Sequence, residues 1–256
     1  MKRILILLIC LFTIGASSIV NTRCPRIYPD TDLDVLTIMN VSEDPLTDSS
    51  GNSHTAAVEG ATYTADGGKF GGGYIFDGGN DYINYGDDDC FTPDTNGWSI
   101  GGWFYITDQN AQDLMCKYAI GTGYEWYFRW NTSSPSGYYI TAIRDDGGSA
   151  YIARSTIGAK AFIPQNVWTF LVFTWAGGTG GTDDMKIYEN GIRIDTTTDN
   201  SGIFDEPLNS NTPFWVGRSD HHEQFIKGTA DEIFIKAYEM TAQEIKADYY
   251  RRVNTE

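Results

Sequence analysis

The chain has 256 residues and a formal net charge of −16, with 18 basic residues against 34 acidic ones. A surface this acidic repels phosphate backbones, so we expect no nucleic-acid partner. Aromatic residues make up 14% of the chain, which argues against disorder because a packed core needs such residues. The 24 Asp against 10 Glu, together with 28 Gly, favour a turn-rich β protein.

The N-terminus has the pattern of a secretory signal peptide, which we place at residues 1–18. Lys2 and Arg3 precede a short apolar run, and the small residues Ala16 and Ser18 follow it. The run is shorter than the roughly 20 residues that cross a bilayer, so no membrane span is expected in the mature chain. We therefore expect a secreted, extracellular or cell-surface protein, with a linker at residues 19–31 and one domain at 32–256.

Three cysteines remain after this segment: Cys24, Cys90 and Cys116. Export permits disulfides. A Cys90–Cys116 bridge is predicted because both residues flank the same strand-rich segment, and the alternative is that all three are unpaired. The fate of Cys24 stays open between a free thiol, a pair and a lipid anchor.

Short β-like runs separated by Gly, Asp, Asn and Ser follow one another along the chain. Strands are expected at residues 74–76, 82–85, 98–106, 114–118, 124–130, 138–144, 151–154, 167–175, 185–188, 192–194, 214–217 and 233–235. Asn190-Gly191 lies between two such runs, which predicts a type I′ hairpin. Strands at this spacing predict a sandwich or jelly roll.

One helix is expected near the C-terminus, over residues 242 to about 252. Thr241 and Glu244 have the spacing of a capping box, in which each side chain binds the other residue's backbone N–H. Ile245 and Tyr249 are one turn apart and share a face. The helix should therefore pack through this face.

Several stretches resemble one known family in the family's own order. They are DGGKFGGGYIFDGGNDYI at 66–83, the apolar run at 168–175 with IYENG at 187–191, and GTADEIFI at 228–235 with TAQEI at 241–245. The turn DSSGN at 48–52 fits as well. Together they resemble LamG-like domains of the concanavalin A-like lectin/glucanase type, over about residues 33–253. The closing stretch is the most specific.

The resemblance implies an all-β fold, a two-sheet antiparallel jelly-roll sandwich with a short C-terminal helix. The chain departs from the family in its first strand, where residues 36–40 contain no Trp. The resemblance also implies one structural Ca²⁺. Asp231 matches the family's closing Asp, and Asp44 lies in the turn of the first strand. Asp77 and Asp81, beside a Gly-Gly turn, are further candidate ligands. The alternative is that these carboxylates accept backbone N–H groups in turns.

The segment at 124–130 is very rich in aromatic residues, and its alternation predicts one core face and one outer face. We assign Tyr124, Trp126, Phe128 and Trp130 to the core. Aromatic faces stack on sugars and planar polar groups bind their hydroxyls. The predicted glycan-binding residues are Glu125, Tyr127, Arg129, Tyr139, Arg144, His221 and His222. The alternative is an ordinary sheet surface, and for the two histidines a plain surface loop.

No catalytic pattern is evident in the sequence. The chain contains neither E-x-D-x-x-E nor E-x-D-x-E, which we would expect of hydrolases of this architecture, and no G-x-S-x-G. We therefore predict a secreted, non-catalytic module that binds a polysaccharide or glycoconjugate. One alternative is a protein-interaction or structural module that binds a surface protein. A divergent glycoside hydrolase or polysaccharide lyase is a further alternative.

Overall fold

The fold was analysed in a computed structural model, which describes residues 34–38, 46, 48, 50–132, 137–147, 149–158, 162–181 and 183–253. Residues 34–38 and 251–253 are described by their backbone. The predicted signal peptide, the linker and Asp44 lie outside the described residues.

Strands dominate the described chain. They are β1 (Asp34–Ile38), β2 (Ala57–Glu59), β3 (Thr62–Gly68), β4 (Gly71–Asp77), β5 (Tyr82–Asn84), β6 (Trp98–Ile106), β7 (Gln112–Ala119), β8 (Gly123–Asn131), β9 (Tyr138–Arg144), β10 (Tyr151–Ser155), β11 (Trp168–Trp175), β12 (Met185–Glu189), β13 (Ile192–Arg193), β14 (Thr197–Thr198), β15 (Trp215–Val216) and β16 (Lys227–Lys236). A short 3-10 helix spans Asp89–Phe91, and the helix α1 spans Ala242–Val253.

The strands form two antiparallel sheets. The first sheet has the order β13-β12-β11-β6-β16-β4-β3, with β1 also paired to β16. The second has the order β14-β10-β9-β8-β7-β15-β5-β2. This confirms the predicted jelly-roll sandwich.

The sequence did not predict β2, β3 or β14. In β3 the sequence TYTADGG offers few apolar residues, because the strand lies at a sheet edge and is mostly exposed.

The core lies between the two sheets and is largely aromatic. Trp98 of the first sheet contacts Trp126 of the second with ring centroids 4.9 Å apart, and Phe173 packs against Trp98 at 5.9 Å. The Nε1–H of Trp126 donates a hydrogen bond to the backbone oxygen of Phe91 at 2.9 Å. This bond satisfies the polar edge of a fully buried side chain, as burial requires.

The predicted hairpin turn at Asn190-Gly191 and the predicted capping box of the C-terminal helix are both confirmed. Asn190 and Gly191 have φ of 51° and 78°, as a type I′ turn requires, and join β12 to β13. Thr241 Oγ1 accepts from the backbone N–H of Glu244 at 3.2 Å, and a Glu244 carboxylate oxygen accepts from the backbone N–H of Thr241 at 2.7 Å. The helix packs Ile245 on the far side of the first sheet.

Two irregularities in the pairing of β7 with β8 decide which side chains leave the core. The register shifts between Asp113 and Met115, and again between Lys117 and Tyr118. At the second shift Lys117 pairs with Trp126 while Tyr118 pairs with Tyr124, so Glu125 is the extra residue of a bulge. A bulge shifts the in-and-out alternation of the side chains by one residue. The side chain of Tyr124 therefore lies on the outer face, opposite to that of Trp126.

Candidate functional site

The outer face of the second sheet, directed away from the core, holds most of the predicted glycan residues. One row across it follows from the strand register: Trp215 pairs with Cys116, Cys116 with Tyr127, Tyr127 with Ala142, and Ala142 with Ala153. The row therefore has large side chains at one end and small ones at the other. This produces relief on a sheet surface that would otherwise be flat.

Beside this row lies an aromatic cluster, formed by Tyr118, Tyr124, Tyr127, His221 and His222. The ring of Tyr118 lies 4.7 Å from Tyr124 and 5.0 Å from Tyr127, measured between centroids. The His222 ring stacks on Tyr118 at 5.4 Å with an interplanar angle of 11°. Burial raises the pKa of Tyr127, and the nearby Tyr118 adds to this effect. The ring of Tyr127 is therefore a neutral aromatic face at neutral pH.

The two histidines converge. Residues 220–223 form a turn, so the two neighbouring side chains do not alternate as they would on a strand. The two rings lie 5.0 Å apart, and His221 also contacts Tyr124 at 4.9 Å. Partial burial lowers the pKa of His221, and His222 and Arg144 lower it further. The histidines thus belong to the aromatic cluster and are more than a plain surface loop.

A buried polar pair holds the loop in place. Asp113, which is fully buried, accepts at Oδ1 from His222 Nδ1 at 3.0 Å and lies 3.4 Å from Arg129 Nε. Arg129 also donates to the side-chain oxygen of Gln224. Because Arg129 is mostly buried, its guanidinium positions the loop from beneath instead of presenting itself to a ligand. The prediction of Arg129 as a ligand-binding residue is thus replaced by a positioning role.

Glu125 does not lie on the outer face, and this prediction is wrong. The bulge turns its side chain inward, where it accepts from Thr92 Oγ1 at 2.6 Å and from the backbone N–H of Ser210 at 2.9 Å. Its partner is Lys117, whose ammonium lies 3.4 Å from the carboxylate. Burial raises the pKa of Glu125, and Lys117 opposes the increase.

Tyr139 is also wrongly predicted as a surface residue. It pairs with Trp130, shares the core face with it, and is fully buried with the two rings 5.1 Å apart. Alternation should have excluded it, since its neighbour Tyr138 has the opposite orientation. Conversely, Tyr118 and Tyr124 were missed as outer-face residues, and Tyr118 is buried there beneath its neighbours. A bulge moves Tyr124, and no sequence pattern marks that bulge.

Arg144 lines a cleft of about 200 Å³ on the outer face, which we call the alanine cleft. Its lining residues are Tyr127, Ile140, Ala142, Arg144, Tyr151, Ala153 and Asp199. The Arg144 side chain donates to the Tyr118 hydroxyl at 3.2 Å, and its guanidinium carbon lies 5.2 Å from the centroid of the Tyr151 ring. The volume is below that of pockets for drug-sized ligands, about 300–1,000 Å³, and suits one sugar-sized ring.

The candidate calcium ligands hold backbone groups in the described structure. The two carboxylate oxygens of buried Asp231 accept from the backbone N–H of Phe70 at 2.9 Å and of Glu232 at 2.8 Å. Asp77 Oδ1 accepts from the backbone N–H of Gly79 at 2.6 Å, and Asp81 Oδ2 from that of Asp77 at 2.8 Å. These hydrogen bonds agree with the alternative, in which the carboxylates accept backbone N–H groups in turns. The calcium site stays a prediction.

The predicted Cys90–Cys116 disulfide is wrong. Cys116 is a buried free cysteine on the outer face of β7, and its S–H donates to the backbone oxygen of Arg218 at 2.9 Å. Cys90 lies on the 3-10 helix and is disulfide-bonded. His54 and Asp88 converge on Cys90 within 4.8 Å, but a disulfide sulfur is not a thiolate and is a poor metal ligand.

The sequence of residues 77–246 matches the family model of the concanavalin A-like lectin/glucanases superfamily. The chain belongs to this superfamily. The match spans both sheets and the start of α1, so it includes the aromatic cluster and the alanine cleft. A search of curated protein sequences found no match.

Solved structures of low sequence identity share this concanavalin A-like fold. Domain 4 of the GH43 arabinanase AbnA from Geobacillus stearothermophilus, in complex with arabinotriose, aligns with a TM-score of 0.62 at 18% identity, over 85% of this chain and 98% of that domain. The binding domain of Paraclostridial Mosquitocidal Protein 1 aligns at 0.62 and 17%, and the receptor-binding domain of botulinum neurotoxin C/D mosaic serotype at 0.62 and 15%. These two alignments cover 86% of this chain and 52% of each toxin domain.

Among the helices of the described residues, none is long and apolar enough to cross a membrane.

Proposed function

We propose that this concanavalin A-like chain is a non-catalytic module that binds carbohydrate on the outer face of its second sheet. The observation that carries the proposal is the aromatic cluster next to the alanine cleft. Tyr127 belongs to both, and Arg144 and Tyr151 face it across the cleft. Aromatic faces suit the apolar C–H surface of a sugar, and the guanidinium donates to its oxygens. The arabinotriose complex of the AbnA domain supports a sugar ligand for this fold.

We also propose that the chain is exported, which agrees with the N-terminal pattern of Lys2, Arg3 and the apolar run. The disulfide at Cys90 supports this, because disulfides persist in oxidising compartments. A structural Ca²⁺ remains part of the proposal and is tested separately.

A glycan array tests the carbohydrate proposal, with residues 19–256, the chain without its predicted signal peptide, probed in Ca²⁺ and in chelator. We expect selective binding to a small group of glycans, and we expect Tyr127→Ala to abolish it. Tyr63→Ala is the matched control, because it removes a partly exposed tyrosine from β3 of the other sheet. A blank array with a correctly folded protein would contradict the proposal, and so would equal loss in both variants.

A protein partner is the second candidate function. The similarity to two toxin domains that are described as binding or receptor-binding domains favours it. A blank glycan array, together with specific binding of the folded chain to intact cells after glycan removal, would support this function. Turnover of a bound oligosaccharide into shorter products would instead indicate a glycosidase or lyase.

A further inference from the structure

Arg144 differs from the other arginines in its ion pairing. The described side chains include five arginines, and four of them lie within 4.0 Å of a carboxylate: Arg129, Arg154, Arg193 and Arg218. Arg144 has no carboxylate of the described residues within that distance, in a chain with 34 acidic residues against 18 basic ones. An arginine without such a partner is unexpected in so acidic a protein.

The contacts of Arg144 orient its guanidinium without neutralising it. Tyr118 accepts one hydrogen bond at 3.2 Å, and Tyr151 lies against the guanidinium at 5.2 Å. Both partners are uncharged, so they fix the side chain and leave its positive charge and its remaining N–H donors. A planar guanidinium held in this way is suited to a carboxylate, which it binds with two parallel hydrogen bonds.

The cleft beside Arg144 has the shape to bring a ligand to it. Ala142 and Ala153 pair across β9 and β10, and these small side chains form a low floor next to Tyr127. Arg144 and Tyr151 pair two residues further along the same strands and form the adjoining wall. A sugar ring on the alanine floor would have Tyr127 at one side and the guanidinium at another.

Arg144 is the basic residue among those that line the cleft, in a chain that is acidic as a whole. Arg144 and Arg129 lower the pKa of His221, whereas Asp113, which lies 3.4 Å from the Nε of Arg129, raises it. Asp199 lines the cleft as well, but the Tyr151 hydroxyl lies 3.5 Å from its carboxylate and donates to it. At physiological salt the Debye length is about 8 Å, so charges far from the cleft are largely screened.

We propose that the alanine cleft takes a sugar that carries a carboxylate, as in a uronic-acid-containing oligosaccharide, and that Arg144 pairs with this carboxylate. This inference rests on the proposed function and names the ligand class of the same site. Arg144 then selects the ligand by charge, and Tyr127 provides the stacking surface that any sugar would use.

The test compares oligogalacturonides with the same oligosaccharides after full methyl esterification, by isothermal titration calorimetry on residues 19–256. Esterification removes the negative charge of each carboxyl group and adds one methyl group to it. We expect the free acid to bind at least 10-fold more tightly than the ester. Arg144→Gln should weaken binding of the acid by about 10- to 100-fold and bring it to the affinity of the ester, because a charge-assisted hydrogen bond is lost. Arg144→Lys should retain part of the preference.

Arg193→Gln is the control for net charge, because it removes one positive charge from β13 of the other sheet. We expect it to bind like the wild type. Equal affinity for acid and ester, a preference for sulfated over carboxylated oligosaccharides, or equal losses in Arg144→Gln and Arg193→Gln would each overturn the inference. Binding of neutral glycans alone would overturn it and leave the proposed function standing, whereas no binding to any glycan would overturn both. Thermal unfolding of each variant confirms that it is folded.

Discussion

The ammonium of Lys117 lies 3.4 Å from a carboxylate oxygen of Glu125, and both side chains are almost completely buried. Asp87 adds a second carboxylate at 2.7 Å from the same ammonium, and Thr92 Oγ1 lies 3.1 Å from it. The pair therefore fastens the bulge of β8 to the loop at residues 87–92. Removing one partner from such a pair leaves a buried charge without compensation.

We expect Glu125→Ala to destabilise the domain by about 3 kcal/mol, because Lys117 stays buried with only Asp87 opposing its charge. Urea unfolding measures this difference. The double variant Lys117→Met with Glu125→Leu should recover most of the loss, since an apolar pair of similar volume removes both charges. A loss below about 1 kcal/mol in Glu125→Ala would contradict the importance of the pair.

The pH dependence of stability should also reveal the raised pKa of the Glu125 carboxyl. Burial raises its pKa in the folded state above the ordinary value of 4.5, so the folded state holds the proton to higher pH than the unfolded state. Its contribution to stability is therefore fully present below about pH 4.5 and is lost as the pH rises through the folded pKa. We expect the stability of the wild type relative to Glu125→Gln to fall over this window and then level off. Glu206→Gln is the matched control, because it makes the same change of side chain at an exposed position.

Cys116 should be unreactive in the native protein. Burial raises the pKa of its thiol, with Asp113 adding to the effect, and only the thiolate is a good nucleophile. We expect no labelling by a thiol-specific disulfide reagent under native conditions and labelling of this site after unfolding in guanidinium. Rapid native labelling of Cys116, located by peptide mass, would be inconsistent with the buried thiol.

The calcium prediction has a direct thermal test. If Asp231 binds Ca²⁺, the ion should raise the Tm of the wild type above that in chelator, because a ligand that binds only the folded state stabilises it. Asp231→Ala should lose this increase. Asp145→Ala is a matched control, because it removes a carboxylate that accepts backbone N–H groups of Gly147 and Asp205 and is not a candidate calcium ligand. The same Tm of the wild type in Ca²⁺ and in chelator would contradict the calcium prediction.

Much of the fold could be predicted from local sequence patterns. The strands Trp98–Ile106 and Tyr138–Arg144 were predicted with the bounds that the structure gives them. Their apolar and aromatic runs are long, and turn residues flank them. Thr62–Gly68 was missed because an exposed edge strand needs few apolar residues.

The site was harder to predict than the fold because it depends on pairing between strands. Alternation placed Glu125 outside and Tyr124 inside, and the register shift reverses both positions. The approach of His222 to Asp113 joins residues 109 positions apart, and no spacing in the sequence indicates it. Tyr127 and Arg144 were predicted correctly as outer-face residues, since they lie on the outer side of regularly paired strands.

The bulge at Glu125 has a consequence for the comparison of relatives. In a regular strand, equivalent surface residues are separated by even numbers of positions, whereas Tyr124 and Tyr127 share a face at an odd separation. A relative without the extra residue would present its equivalent tyrosine one position later. An alignment without a gap at this place would match that tyrosine to Glu125, which is buried in this chain. Insertion or deletion of a single residue in β8 is thus a short evolutionary route by which this superfamily can exchange the side chains that a ligand meets.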